Sequence, residues 1–165
     1  MFTETLLPAG PHERVALPGL GYRLLARDEA AGAWSLGVHD LAPRTLGAPT
    51  HVHEHEDEHS YVLSGRLGAQ VGDRVVDAGP GDVVVKPRRV PHAFWNAGDE
   101  PVVFLEVISP AGFERYFADL APLLAAGAPD PAAIGAVQQR YALTMDFSTV
   151  GGLVAAHGLE PVPGI

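Results

Sequence analysis

The sequence predicts a mainly β domain, an antiparallel sandwich or barrel, followed by a helical C-terminal segment. Three observations predict it. Residues 14–109 break into short apolar runs separated by Gly, Pro and Asp, and many short strands at close spacing favour a sandwich or barrel. After Pro110 the apolar residues change to helical spacing. A chain of 165 residues, 47% hydrophobic and 19% charged, is long enough for one domain with a sizeable core and too short for two ordinary ones.

Each element follows from its residues. YRLLAR (22–27) and WSLGVHDL (34–41) are strand candidates, and HSYVLSGRLGAQV (59–71) carries β-branched and aromatic residues around Gly65. In VGDRVVDAGPGDVVV, Gly72-Asp73 is the tip of a tight hairpin and Gly79-Pro80-Gly81 the next corner. DVVVKP (82–87), PHAFWN (91–96) and PVVFLEVIS (101–109) complete the β region. Beyond it, Phe113, Tyr116, Phe117, Leu120 and Leu124 fall on one helical face. Asp130-Pro131 reads as an N-cap with proline at the first helical position, and Ile134, Val137, Tyr141 and Met145 form the next face. LVAAHGLEPVP holds a last short helix ending near Gly158. The division expected is a β-barrel with its N-terminal arm over 1–110 and a helical segment over 111–165 packed on it, one domain overall.

Composition excludes several function classes. The net charge of −9 and the scattered arginines leave no basic stripe for nucleic acid, and no helix-turn-helix segment accompanies the strands. Arg88-Arg89 is the densest basic spot, and Lys86 is the only lysine. The absence of cysteine excludes disulfides, thiolate zinc sites and cysteine nucleophiles, so any metal is held by nitrogen and oxygen. No signal peptide and no apolar run of about 18 residues is present, so a cytoplasmic protein with no membrane partner is expected.

HVHEHEDEHSYVLSG (51–65) holds four of the eight histidines just before an apolar strand. Side chains alternate along a strand, so His51 and His53 project to one side and grip one ion, as would His53 and His55. The strand resumes near Glu58, because Tyr61-Val62-Leu63 is apolar and ends at a Gly turn. Residues 54–57 then form a loop that takes His55, and His59 faces away from whatever Glu58 faces. Further on, His92 follows Pro91 at the start of an apolar strand, and Asn96 is the chain's only asparagine. Three imidazole nitrogens and a carboxylate oxygen suit a divalent first-row metal with open positions left for water or substrate. Parity groups Ser60 and Val62 with Glu58, and Phe94 and Asn96 with His92, as a mostly apolar pocket. His12, His39, His55, His59 and His157 read as solvated or core histidines.

These residues resemble the two motifs of the cupins. His51-x-His53-x4-Glu58-x6-Gly65 fits the first, with Gly47 closer to His51 than the leading glycine of the pattern. Gly81-x5-Pro87-x-Arg89-x2-His92-x3-Asn96 fits the second, with Arg89 where glycine is expected. The resemblance extends over roughly residues 20–110 and implies a cupin-type antiparallel β-barrel, a jelly-roll sandwich. It implies one divalent transition metal ion per chain, iron, nickel, manganese, copper or zinc, on His51, His53, Glu58 and His92.

With ISPAGFERYFADL (108–120) leading into a helical tail, the chain is also similar to single-domain bacterial cupins related to quercetin 2,3-dioxygenase. That similarity implies Glu58 as the catalytic base taking a flavonol hydroxyl proton before oxygen cleaves the ring, with Phe94, Phe113 and Phe117 as pocket walls. The expected function is a metal-dependent dioxygenase acting on a flavonol-like or other enolic small molecule with O2. The alternatives are a non-redox isomerase, cyclase or decarboxylase, and a small-molecule-binding module without turnover. A homodimer is expected, with segment 1–20 packed on or across the partner.

Overall fold

Gly65 is where the chain leaves one sheet for another. It has φ +77°, and a Cβ there would lie 2.7 Å from the Pro101 carbonyl oxygen, so the crossover requires glycine. The computed structural model describes residues 14–28, 31–125 and 130–161. The first 13 residues of the arm expected to reach a partner, and with them His12, lie outside these.

Eleven strands are described. They are β1 (Arg14–Leu17), β2 (Leu20–Arg27), β3 (Ser35–Leu41), β4 (Thr45–His53), β5 (Asp57–Ser64), β6 (Leu67–Val71), β7 (Arg74–Ala78), β8 (Val83–Lys86), β9 (His92–Asn96), β10 (Val102–Ser109) and β11 (Leu143–Asp146). The helices are α1 (Arg115–Ala125), α2 (Pro131–Arg140) and α3 (Val150–His157). The strands form a six-stranded sheet, β1-β2-β3-β10-β5-β8, and a five-stranded sheet, β11-β4-β9-β6-β7. Every pairing is antiparallel. The result is a jelly-roll sandwich of two sheets rather than a closed barrel.

Alternation builds the core. In β10, Val102, Phe104, Glu106 and Ile108 are buried and the residues between them are not. In β5 the same holds for Glu58, Ser60 and Val62. Leu20, Leu41, Val62, Leu67, Val84, Phe94, Val102 and Phe104 fill one end of the sandwich. Tyr22, Ile108, Phe113, Tyr116, Phe117, Leu120, Val137 and Leu143 form a second cluster under α1 and α2. A third, with Leu46, Trp95 and Leu153, seats α3 on the outer face of the five-stranded sheet.

The turn chemistry behaves as the residues require. Gly72-Asp73 closes β6 to β7, with Val71 opposite Arg74. Asp130 caps α2 by accepting from the Ala132 amide at 2.9 Å, and Gly158 ends α3 at φ +61°. One expectation fails. Met145 does not continue the face of α2: the helix stops at Arg140, and residues 143–146 extend as β11 along the edge of β4. An exposed edge of β4 offers a ladder of hydrogen bonds to any nearby segment, and that tertiary demand outweighs the local helical spacing. No helix among the described residues is long and apolar enough to cross a membrane.

Candidate metal centre

Both sheets contribute to the site. In β4 the inward parity presents His51 and His53. Neighbouring β9 pairs antiparallel and places His92 opposite His51. Glu58 comes from β5 in the facing sheet, after a short link over residues 54–56. The strand thus starts at Asp57, one residue earlier than the sequence suggests. His51, His53, Glu58 and His92 are buried, and one donor atom from each lies within 4.8 Å of all the others. Ring centroids are 4.2 Å apart for His51 and His92, and 5.2 and 5.4 Å from His53 to each of them. Glu58 Oε1 is 3.6 Å from His53 Nε2, and Oε2 is 3.4 Å from His92 Nε2.

The residues present fit a metal ion. His51 Nδ1 lies 2.8 Å from the Pro49 carbonyl oxygen, and His92 Nδ1 lies 3.0 Å from that of Val90. Each bond puts the ring proton on Nδ1 and leaves Nε2 with its lone pair facing the cluster. His92 Nε2 is buried with no hydrogen-bond partner, which is costly unless something accepts that lone pair. Burial, with His92 and His53 nearby, holds His51 well below its ordinary pKa, in the neutral form that ligation needs. Burial alone would raise Glu58, but the Lys86 ammonium beside it leads the charges that hold the carboxyl well below its usual range. A buried cluster of three imidazoles and one carboxylate is able to hold one metal ion, as is typical of cupins.

Arg89, at the position where the motif has glycine, adopts φ +63°, the left-handed conformation glycine favours. The loop therefore keeps its shape without glycine. The Arg89 amide donates to the His53 carbonyl at 2.8 Å, and its guanidinium pairs with Glu54.

A cavity of about 370 Å³ opens from the cluster. Phe94, Phe113, Tyr116, Phe117, Leu120, Ile134, Leu143 and Met145 line it, with His39, Lys86 and Glu106 as polar wall groups beside the ligand cluster. Phe113 packs edge-on against His53 at 4.3 Å. Three residues expected in this wall are placed elsewhere. Ser60 donates to Glu106 Oε2 at 2.8 Å, Val62 lies in the core, and Asn96 is spent on a turn. Asn96 donates to the Leu41, Ala42 and Glu100 carbonyls and accepts from the Gly98 amide. For Val62 and Asn96 parity gave the right face but not the right depth: four residues along a strand span ~13 Å. That distance carries Val62 and Asn96 away from Glu58 and His92.

Among the remaining histidines, His55 is exposed and His59 points outward between Val85 and Val107. His157 stacks on Trp95 at 3.9 Å. His39 is buried among Tyr22, Phe104 and Phe117, and burial brings its pKa down to about 3. Sequence reasoning missed Lys86 and Glu106. Lys86 Nζ lies 3.0 Å from Glu58 Oε2 and 2.8 Å from Glu106 Oε2. The signal was available: the only lysine stands at an inward position in an apolar strand, and Glu106 interrupts VVFLEVIS.

Comparisons agree with this architecture. Solved structures of similar fold include KdgF from Halomonas sp., 18% identical with a TM-score of 0.59, covering 67% of this chain and 96% of that one. An RmlC-like cupin from Shewanella frigidimarina is 19% identical with a TM-score of 0.56, covering 66% and 93%. Streptomyces PAC13 with uridine is 14% identical with a TM-score of 0.55, covering 67% and 85%. At these identities the likeness is one of fold. No curated protein matches the chain. Residues 37–108 match the family model of the cupin domain, and with the two-sheet fold and the three-histidine, one-glutamate cluster within that stretch, this part of the chain is a cupin domain.

Proposed function

We propose that the protein is a metal-dependent cupin enzyme, a dioxygenase acting on a flavonol-like or other enolic small molecule. One observation carries the reading: the buried cluster of His51, His53, Glu58 and His92 opens, through His51, His53 and Glu58, into an apolar cavity walled by Phe94, Phe113, Tyr116 and Phe117. Such a cavity takes a flat aromatic body and orients its polar end toward the few polar groups at one end. His51, His53, Glu58 and His92 hold the ion. When bound, a divalent transition metal supplies polarisation of a chelating oxygen and, if redox-active, a route for electrons to dioxygen.

The chain's own residues do the rest. The aromatic walls exclude water and align the substrate ring. Glu58, ionised at neutral pH, is available to accept the substrate hydroxyl proton. The test is elemental analysis of protein purified without a histidine tag, followed by oxygen uptake with a flavonol. Iron-, manganese-, nickel- and copper-loaded samples are compared. Oxygen consumption matched to flavonol loss supports the reading. Product formed without oxygen points instead to an isomerase, cyclase or decarboxylase, and tight binding without product to a binding module.

A further inference from the structure

Lys86 is 1% exposed, and no other lysine exists in the chain. Burying an ammonium costs several kcal/mol unless it is paired. Here three neighbouring strands pair it. β8 sets Lys86 opposite Glu58 of β5 in the ladder, and β10 sets Glu106 opposite Ser60. Ser60 Oγ donates to Glu106 Oε2 at 2.8 Å, and the same oxygen accepts from Lys86 Nζ at 2.8 Å. The Phe94 ring centre lies 5.3 Å from Nζ on another side. The ammonium therefore has a fixed place, and from it Nζ reaches Glu58 Oε2 at 3.0 Å.

We propose that Lys86 is a positioning residue that holds one carboxylate oxygen of Glu58 and leaves the other for the metal. Glu58 Oε2 is tied to Lys86, although it also faces His92 Nε2 at 3.4 Å, whereas Oε1 lies toward His53 with no ammonium on it. A carboxylate without such a tie turns freely and offers both oxygens to a divalent ion. One fixed by a close ion pair offers one, and keeps its orientation before the ion arrives. A lysine that merely neutralised Glu106 would have no effect on the coordination of the ion. The proposal rests on the reading of His51, His53, Glu58 and His92 as ligands.

Cobalt(II) is the probe, because its visible d–d absorption weakens as the coordination number rises. Wild-type protein and Lys86→Met are each titrated with cobalt(II) and their absorption compared at full occupancy. Because Lys86→Met leaves Glu106 facing an apolar side chain, the double variant Lys86→Met/Glu106→Gln is measured beside it. Both variants are expected to bind one ion with weaker d–d absorption than wild type, as Glu58 brings its second oxygen to the metal. Folded variants with the wild-type spectrum overturn the role of Lys86 and leave the ligand assignment standing. Failure of wild-type protein to bind cobalt overturns both.

The zinc-induced infrared difference spectrum of the unaltered protein gives a test that needs no lysine variant to fold. Its Glu58 bands are assigned by comparison with Glu58→Gln. A wide splitting of the carboxylate stretches, the mark of one-oxygen coordination, supports the proposal. A narrow splitting, the mark of two-oxygen coordination, refutes it.

Discussion

At the residue scale the cluster makes a sharp prediction. Replacing His51, His53 or His92 by alanine removes one of four donors and is expected to strip most of the bound metal. Replacing His55 or His59, one exposed and one outward-facing, is expected to leave occupancy unchanged. Metal content per chain checks both. Metal-restored Glu58→Gln is expected to stay inactive, with a deficit of about 10² to 10⁴ in rate, since glutamine offers an oxygen to the ion but accepts no proton. His39 gives a pH prediction with a definite sign. Its folded pKa, about 3, lies below the ordinary 6.5. The neutral form is therefore the native one, and stability is complete above pH 6.5. As pH falls toward 3, the unfolded chain takes the proton first, and the native state loses about 1.4 kcal/mol per pH unit from this group. In metal-free protein, His39→Leu is expected to show a shallower loss of stability over that window, measured as urea midpoints against pH.

At the scale of elements, β4 matters most, since it carries two ligands and one wall of the cavity. Gly47 lies in its irregular stretch between Leu46 and Ala48, where pairing with β9 shifts register. A Cβ on Gly47 would fall 2.1 Å from Phe94 Cε2. Gly47→Ala is expected to push the Phe94 ring into the cavity and to cost about 1–3 kcal/mol. Denaturant unfolding measures the cost, and tighter discrimination against bulky ligands is the accompanying sign. The motif spacing made this strand's ligands legible, because period-two alternation is local physics. The pairing of β11 with β4 was not legible. Leu143 and Met145 oppose His53 and His51 only because the chain returns there after α2, and nothing within residues 141–146 encodes that distant edge.

At the scale of the whole molecule, the two outer faces of the sandwich differ. The helix α3 covers part of the five-stranded sheet. The outer face of the six-stranded sheet exposes Tyr61, Leu63, Val83, Val85 and Val107 on the adjacent strands β5, β8 and β10. A largely apolar face of this kind, interrupted by His59 between Val85 and Val107, marks an interaction surface. We propose a second copy of the chain as its occupant. A second copy brings the same side chains, so face-to-face pairing removes exposed Tyr61, Leu63, Val83, Val85 and Val107 of both copies from water at once. Sedimentation at micromolar concentration is expected to show a dimer, and Val83→Lys/Val85→Lys a monomer of unchanged fold. A monomeric wild type counts against the pairing.

The sequence by itself determined the sandwich, the turns at Gly65, Gly72-Asp73 and Gly158, and the four residues of the cluster. The strands and turns rest on local rules, alternation along a strand and glycine at positive φ, and the four residues of the cluster on their resemblance to the two cupin motifs. Tertiary structure alone decided three things. It set depth along the strands, which took Val62 and Asn96 out of the cavity wall, and it engaged Ser60 with Glu106. It made residues 143–146 a strand rather than a helical face. It brought Lys86 of β8 and Glu106 of β10 to either side of the Glu58 and Ser60 positions of β5. Those pairings join residues 28 and 46 positions apart. They depend on which strands become neighbours in the sheet, which is settled by the packing of the whole chain.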